Sequence, residues 1–135
     1  GISLLEGKVS GREDSKRFLD TRDGKVRLSD SSGLAEGAAA DLAVRADRIS
    51  VTVAPGWGEN EIACTLISEE FAGAVVNLHL ETASGHSLVA QLQQRDLEQL
   101  DASIGARVYA SWHSDDGFLL ESARQSGPGP KVRAA

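Results

Sequence analysis

The chain has 135 residues, a length that fits one domain or two very small units sharing a core. Hydrophobic residues make up 41% of the sequence but aromatic residues only 4%, so the core must consist mainly of Leu, Val, Ile and Ala. The formal net charge of −6 argues against binding of nucleic-acid backbones, because such binding needs a clustered basic face.

Short extended segments separated by turns dominate the first half of the chain. Leu4 to Val9 is strand-like, and Asp23-Gly24 between two extended segments predicts a β-hairpin. Residues 29–40 are rich in Ser, Gly and Ala and predict a loop. Residues 41–53 predict one long strand with Ile49, Val51 and Val53 on one face.

A turn cluster at residues 54–60 forms the clearest internal boundary, and the strongest strand pattern follows it. Apolar and polar residues alternate strictly at positions 76–80 and again at 88–92, on either side of a turn that contains Gly85. This period of two predicts a second β-hairpin with one buried face. Trp112 alternates with the same period as Val108 and Ala110 and shares their face of the strand, so we expect it in the core.

The last third of the chain predicts a single helical turn at residues 95–100 and two strands, 107–112 and 118–121, that close around a turn at residues 114–117. The two halves of the chain repeat the order strand, hairpin, strand. This pattern predicts an all-β fold of two packed OB-like small barrels. We assign residues 1–53 to the first unit, 54–122 to the second, and 123–135 to a mobile tail.

The residues that could carry catalysis or bind a metal do not form a recognisable motif. Cys64 lies in an apolar run and is predicted to be a buried small residue. His79, His86 and His113 lack the spacing of metal ligands. Paired carboxylates, such as Asp115-Asp116, point to opposite faces of a strand or lie in solvated turns. We therefore predict no catalytic, cofactor or metal site.

Trp57 is the one large aromatic residue without a place in an alternating strand, since it lies in a Gly-rich turn. Two interpretations of Trp57 remain open at this point. It either anchors an interface with a partner or covers the end of its own barrel.

Three segments share the order and spacing of family motifs. Residues 43–50 are similar to a VRPE-x-I strand, although Ala46 replaces the usual Pro and Asp47 the usual Glu. Residues 70–74 are similar to an aromatic-x-Gly turn, and residues 104–112 to a G-x-x-V-x-x-x-W ending. Together they resemble the TOBE domain at the C-terminus of ABC-importer ATPases that serve polyamines, iron, sugars and related solutes.

The resemblance implies a regulatory and dimerisation domain of the ATP-binding subunit of an ABC solute importer, for example of the spermidine/putrescine type. Its implied partners are a second ATPase subunit, the transmembrane permease subunits and a small regulatory ligand, in the cytoplasm at the inner face of the membrane. Because the chain lacks G-x-x-x-x-G-K-[ST], it should not hydrolyse ATP. The missing Met and the strand-like start predict a fragment of a larger protein.

Two alternatives remain beside this prediction. The first is a self-standing Mop-like β protein that binds a small oxyanion. Residues 93–97, where the related Mop-type domains carry their ligand, lack the expected hydroxyl-rich pattern. The second is an OB-fold protein that binds nucleic acid, which the negative charge and the few aromatic residues disfavour.

Overall fold

The structure is a computed structural model that describes residues 1–13, 16–29 and 33–121. The predicted mobile tail, residues 123–135, lies outside these ranges. Within them the chain forms ten strands and one short helix: β1 (Ile2–Glu13), β2 (Lys16–Thr21), β3 (Gly24–Leu28), β4 (Ala39–Arg45), β5 (Ser50–Thr52), β6 (Asn60–Ala72), β7 (Val75–Thr82), β8 (Ser87–Gln93), α1 (Gln94–Gln99), β9 (Arg107–Trp112) and β10 (Gly117–Glu121). The predicted all-β class is confirmed.

The strands form two antiparallel sheets of five strands each. Sheet A has the order β10-β4-β1-β2-β3, and sheet B has the order β5-β9-β6-β7-β8. Sheet A combines β1–β4 with β10 from the end of the described chain, and sheet B combines β6–β9 with β5, which lies before the predicted boundary. The predicted boundary after residue 53 therefore lies between β5 and β6, and the two segments exchange their last strands across it.

Pairing registers show that the two sheets repeat one another. Leu19 lies opposite Val26 in sheet A, as Leu80 lies opposite Leu88 in sheet B. A β-bulge interrupts both long strands, after Ser10 in β1 and after Leu66 in β6. Such bulges bend a strand and increase its twist, which helps each sheet to curl.

One hydrophobic core joins the two sheets. Its fully buried side chains are mostly Leu and Val, as the low aromatic content requires, and they alternate along the strands. Trp112, which is 3% exposed, belongs to this core and confirms the prediction from its strand phase. Cys64 is also in the core, and burial raises the pKa of its thiol to about 11. A thiol with a raised pKa is a poor nucleophile, so Cys64 is structural.

The predicted hairpins and the helical turn are confirmed: β2–β3, β7–β8 and α1 lie where the sequence placed them. Gly24 and Gly85 occupy the two hairpin turns with φ of 118° and 93°, a region that favours Gly.

Two predictions about strands were wrong. The long strand at residues 41–53 is broken by a 3-10 turn at Ala46–Arg48, which Ile49 N–H closes by donating to the Ala46 carbonyl, and the chain then passes to the other sheet. As a result Ile49 is buried while Val53 is exposed. Strands β9 and β10 do not close around their turn as neighbours either. The 3-10 turn Ser114–Asp116 redirects β10 to β4.

Candidate functional site

A lysine and two serines meet where the chain passes from sheet B to sheet A. Lys16 Nζ donates to Ser29 Oγ at 2.8 Å and to Ser114 Oγ at 2.5 Å. Lys16 begins β2, Ser29 follows β3, and Ser114 begins the 3-10 turn that leads into β10. Ser114 is 1% exposed, so this hydroxyl is fixed in place. We call the group formed by Lys16, Ser29, Ser114 and Asp115 the lysine junction.

Two carboxylates satisfy the donors around this junction. Glu59 Oε1 accepts from Ser114 N–H at 2.9 Å, and this bond lowers the pKa of Glu59 despite partial burial, with Lys16 and His113 adding to the effect. A hydrogen bond from the Ser29 hydroxyl lowers the pKa of Asp115 in the same way, with Lys16 and His113 again contributing. The Asp115 carboxylate lies 3.8 Å from Lys16 Nζ, and its side chain is 65% exposed.

The lysine junction combines the groups that bind a tetrahedral anion. An ammonium group and hydroxyl donors at fixed positions make charge-assisted hydrogen bonds with oxyanions. Here the Asp115 carboxylate occupies the position that an oxyanion would take, so an incoming anion would have to displace it. Its exposed side chain can turn out to solvent, whereas Lys16 is held at the start of β2 and Ser114 is buried in its turn.

Because the two sheets repeat one another, the lysine junction has an equivalent position in the second repeat. Lys16 lies three residues before Leu19 in β2, as Asn77 lies three residues before Leu80 in β7. Ser29 lies three residues after Val26, as Gln91 lies three residues after Leu88, so Ser29 corresponds to Gln91. Ala46 and Ser114 each begin a 3-10 turn.

An open cleft of about 430 Å³ lies at this second position, and we call it the opposite cleft. Its polar lining residues are Asp47, Ser50, Gln91, Gln93 and Asp96. Gln91 Nε2 donates to Asn77 Oδ1 at 3.4 Å, where the first repeat has Lys16 and Ser29. With two aspartates and no basic residue in its lining, this cleft repels anions.

Trp57 lies on the surface, with 73% of its side chain exposed. The Glu61 carboxylate accepts from Gly56 N–H at 2.8 and 3.0 Å and from Trp57 N–H at 3.1 Å, so the loop has a defined shape. Beside Trp57 lies an open, mostly apolar cleft of about 420 Å³ that includes Val53 and Leu100. This exposure is incompatible with a side chain that covers the end of its own barrel.

The remaining candidate residues stay apart. His79 Nε2 lies 3.1 Å from a Glu70 carboxylate oxygen, and His113 lies near Glu59 and Asp115. Among the residues that the structure describes, no three His, Cys, Asp or Glu side chains are grouped as metal ligands. In the same ranges no helix is both long and apolar enough to cross a membrane.

Sequence reasoning did not find the lysine junction. The β2–β3 hairpin brings Lys16 to Ser29, 13 residues away, but Ser114 is 85 residues beyond Ser29 and joins them only through the turn that leads into β10. The available signal was the internal repeat, which would have aligned the turn at Ser114 with the one at Ala46.

Comparisons with known proteins agree with this architecture. The TOBE domain model matches residues 42–120, more than half of the chain. Among solved structures, the chain is similar to the cytoplasmic molybdate-binding protein ModG with molybdate bound, with a TM-score of 0.76 and 17% identity over 86% of this chain and 93% of that chain. This likeness shows the fold and confirms its OB-like class. A search of curated proteins gives no match.

Proposed function

This chain belongs to the TOBE domain family, and from that premise we propose that it is a non-catalytic binding protein for a small oxyanion of the molybdate class. The observation that carries the proposal is the lysine junction, where Lys16 donates to the hydroxyls of Ser29 and Ser114 and where Lys16 and the Ser29 hydroxyl both reach the Asp115 carboxylate. The fold shared with a molybdate-binding protein over nearly the full length of both chains supports it. We therefore prefer the Mop-like oxyanion-binding protein to the transporter domain as the function of this chain.

In the proposed complex the oxyanion replaces the Asp115 carboxylate. Its oxygens accept hydrogen bonds from Lys16 Nζ and from the Ser29 hydroxyl, the two groups that now reach Asp115, whereas the Ser114 hydroxyl stays with Lys16 and Glu59. The Asp115 side chain then swings out to solvent, which is feasible because it is 65% exposed. Glu59 keeps its bond to Ser114 N–H and holds the turn in position.

Calorimetric titration with sodium molybdate at constant ionic strength tests this proposal. Each hydrogen bond to a charged group contributes on the order of 1.5–3 kcal/mol, so Lys16→Ala should weaken binding at least about tenfold. Asp115→Asn should tighten it several-fold, because the competing negative charge is lost. The matched control is Lys25→Ala, since Lys25 is an exposed lysine paired with Asp20 elsewhere in sheet A.

Sulfate and chloride titrations distinguish a specific site from general ionic effects. Saturable molybdate binding that depends on Lys16 supports the proposal. Dilution heat alone, or equal losses for Lys16→Ala and Lys25→Ala, would overturn it.

The second candidate function is the regulatory and dimerisation domain of an ABC-importer ATPase, in the cytoplasm and next to its permease subunits. The observation that favours it is Trp57, an exposed aromatic residue on a loop held by Glu61. Such residues anchor protein interfaces and contribute about 2 kcal/mol or more to association.

In an ATPase that contains this domain, Trp57→Ala should weaken dimerisation or blunt the regulation of ATP hydrolysis while the domain stays folded. Sedimentation equilibrium and a melting curve on the same variant separate these effects. An unchanged association constant with unchanged regulation would refute a role for Trp57 as an anchor.

A further inference from the structure

Two open clefts of the second repeat meet along β5 and form one groove. The opposite cleft and the cleft beside Trp57 have Val51 and Asp96 in common, so one continues into the other. Strand β5, at the edge of sheet B, forms one wall. The other wall comes from the end of β8, from α1 and from the residues that follow α1. We call this combined cleft the β5 groove.

One end of the β5 groove presents apolar side chains to solvent. Trp57 is 73% exposed and Val53 is 48% exposed, and Leu100 lies beside them. The hydrogen bonds from Gly56 and Trp57 to the Glu61 carboxylate fix the loop, so the indole is held in this exposed position. A large apolar group that the fold keeps exposed gains free energy when a partner covers it.

The charged side chains that the structure places in the lining of the β5 groove are all acidic. Asp47 pairs with Arg45 at 2.7 Å, so its charge is already balanced. Asp96 and Asp101 are exposed and have no ion-pair partner among the residues that the structure describes. Both line the groove together with Trp57. Carboxylates and the face of an indole both attract a cation, so this end of the groove is suited to a basic group.

The shape of the β5 groove favours an extended peptide over a small molecule. Small molecules bind in pockets that enclose most of their surface, whereas this groove is open to solvent along its length. The five lining residues from Ile49 to Val53 span at most ~17 Å, which is the length of roughly five residues of an extended chain. A peptide of this length would contact the groove from end to end.

We propose that the β5 groove is the docking site for an extended basic segment of another protein, in which Lys or Arg alternates with apolar residues. One basic side chain lies over the indole of Trp57 and pairs with Asp96 or Asp101. An apolar neighbour packs against Val53 and Leu100. The net charge of −6 also favours the approach of a basic partner.

Fluorescence anisotropy with labelled synthetic peptides and the full chain tests this inference. The probe peptide alternates Lys or Arg with Val or Leu, and two comparison peptides carry Glu or Gln at the basic positions. We expect saturable binding of the basic peptide alone. The binding should weaken as the ionic strength rises from about 0.05 to about 0.5 M, since interactions between exposed charges are screened by salt.

Two pairs of variants locate the binding site. Trp57→Ala should weaken binding of the basic peptide at least about fivefold, because an apolar contact and a cation–π contact are both lost. Its matched control is Phe71→Ala, which removes an exposed aromatic residue of β6 outside the groove. The double variant Asp96→Asn/Asp101→Asn should weaken binding about threefold. Its control is Glu98→Gln, an exposed carboxylate of α1 outside the lining, which should leave binding unchanged.

Three outcomes would contradict the inference, and none of them depends on molybdate. The first is a basic peptide that does not bind, or that binds no better than the acidic peptide. The second is an equal effect of Trp57→Ala and Phe71→Ala. The third comes from sedimentation equilibrium without peptide: a dimer that Trp57→Ala dissociates would assign the groove to a second copy of the chain. A melting curve of each variant verifies that it is folded.

Discussion

The lysine junction and the opposite cleft occupy equivalent positions in the two repeats but differ in charge. The first has Lys16 with two serine hydroxyls, and the second has Asn77, Gln91 and Ala46 in the corresponding places. Strand register fixes where each position lies, whereas a few side chains decide what can bind there. A repeated fold thus offers two similar positions, of which the lysine junction carries a lysine and the opposite cleft does not.

In each repeat one buried polar side chain makes hydrogen bonds to the other sheet, but the two repeats differ in the number of these bonds. This difference gives the largest expected effect on the free energy of unfolding. Asn60 Oδ1 accepts from Arg27 N–H at 2.7 Å, and its Nδ2 donates to the Arg27 carbonyl at 2.9 Å. In the other repeat Ser3 Oγ only accepts from Val89 N–H, at 2.9 Å. Asn60→Ala should lower the free energy of unfolding by about 3 kcal/mol and Ser3→Ala by about 1 kcal/mol.

Urea unfolding of both variants measures this difference. Similar losses for Asn60→Ala and Ser3→Ala would mean that the two ties are energetically equivalent despite their different numbers of hydrogen bonds.

The hairpin turns provide a second comparison of the repeats. Gly85 has a φ of 93°, and an added Cβ would meet nothing within 4 Å. The cost of Gly85→Val is therefore conformational, and we expect a destabilisation of about 2 kcal/mol. Gly24→Val, in the equivalent turn, should have a similar cost because its φ is 118°. An unchanged urea midpoint for either variant would show that its turn relaxes to a conformation open to all residues.

Transplanting the lysine junction into the opposite cleft tests the equivalence directly. The double variant Asn77→Lys/Ala46→Ser supplies the ammonium group and one hydroxyl at the corresponding places. We expect it to gain a weak second molybdate site, roughly tenfold weaker than the first because the nearby Asp47 and Asp96 remain. The number of sites in a calorimetric titration measures this, and a stoichiometry that stays at one would show that backbone equivalence is not sufficient.

The smallest effect concerns the contact between the two hairpin turns. Asp23 accepts from Ser84 N–H at 3.0 Å and from Ser84 Oγ at 2.7 Å. Burial raises the pKa of Asp23, but hydrogen bonds from Ser84 and Thr82 outweigh it and hold the pKa below 3.8. Its stabilising contribution is therefore complete above pH 3.8 and is lost as the pH falls through the lowered value.

Melting curves between pH 6 and roughly pH 2 measure this contribution. Asp23→Asn should lower the melting temperature slightly near pH 6 and flatten the loss at acidic pH. The matched control is Asp101→Asn, a change in an exposed carboxyl group after α1. Identical acid profiles for the parent and Asp23→Asn would mean that this contact does not contribute.

Local patterns allowed most of the strands to be predicted, because alternation and Gly turns are encoded within a few residues. The hairpins at β2–β3 and β7–β8 followed from such signals. The break at Ala46 could not be predicted in the same way, since residues 46–48 contain no Gly or Pro and the strand that follows pairs with the distant β9. The position of β10 depends on pairing with β4, and no local signal specifies a partner about 75 residues away.

The candidate site was harder to predict from the sequence than the strands were. Residues 93–97 correspond to the ligand segment of Mop-type domains, but in this chain they lie at the end of β8 and in α1. The donors that the structure brings together are on the other side of the repeat, at Lys16, Ser29 and Ser114. Isolated lysines and serines are common on protein surfaces, so only their spatial convergence gives them meaning.

The exchange of the fifth strands has a consequence for the order in which a nascent chain can mature. Strand β4 is complete at Arg45, but its outer neighbour β10 begins only at Gly117. A ribosome must therefore synthesise almost all of the described chain before the first sheet can acquire its edge. Until then β4 presents an open side to other chains, which is a typical starting point for aggregation during synthesis.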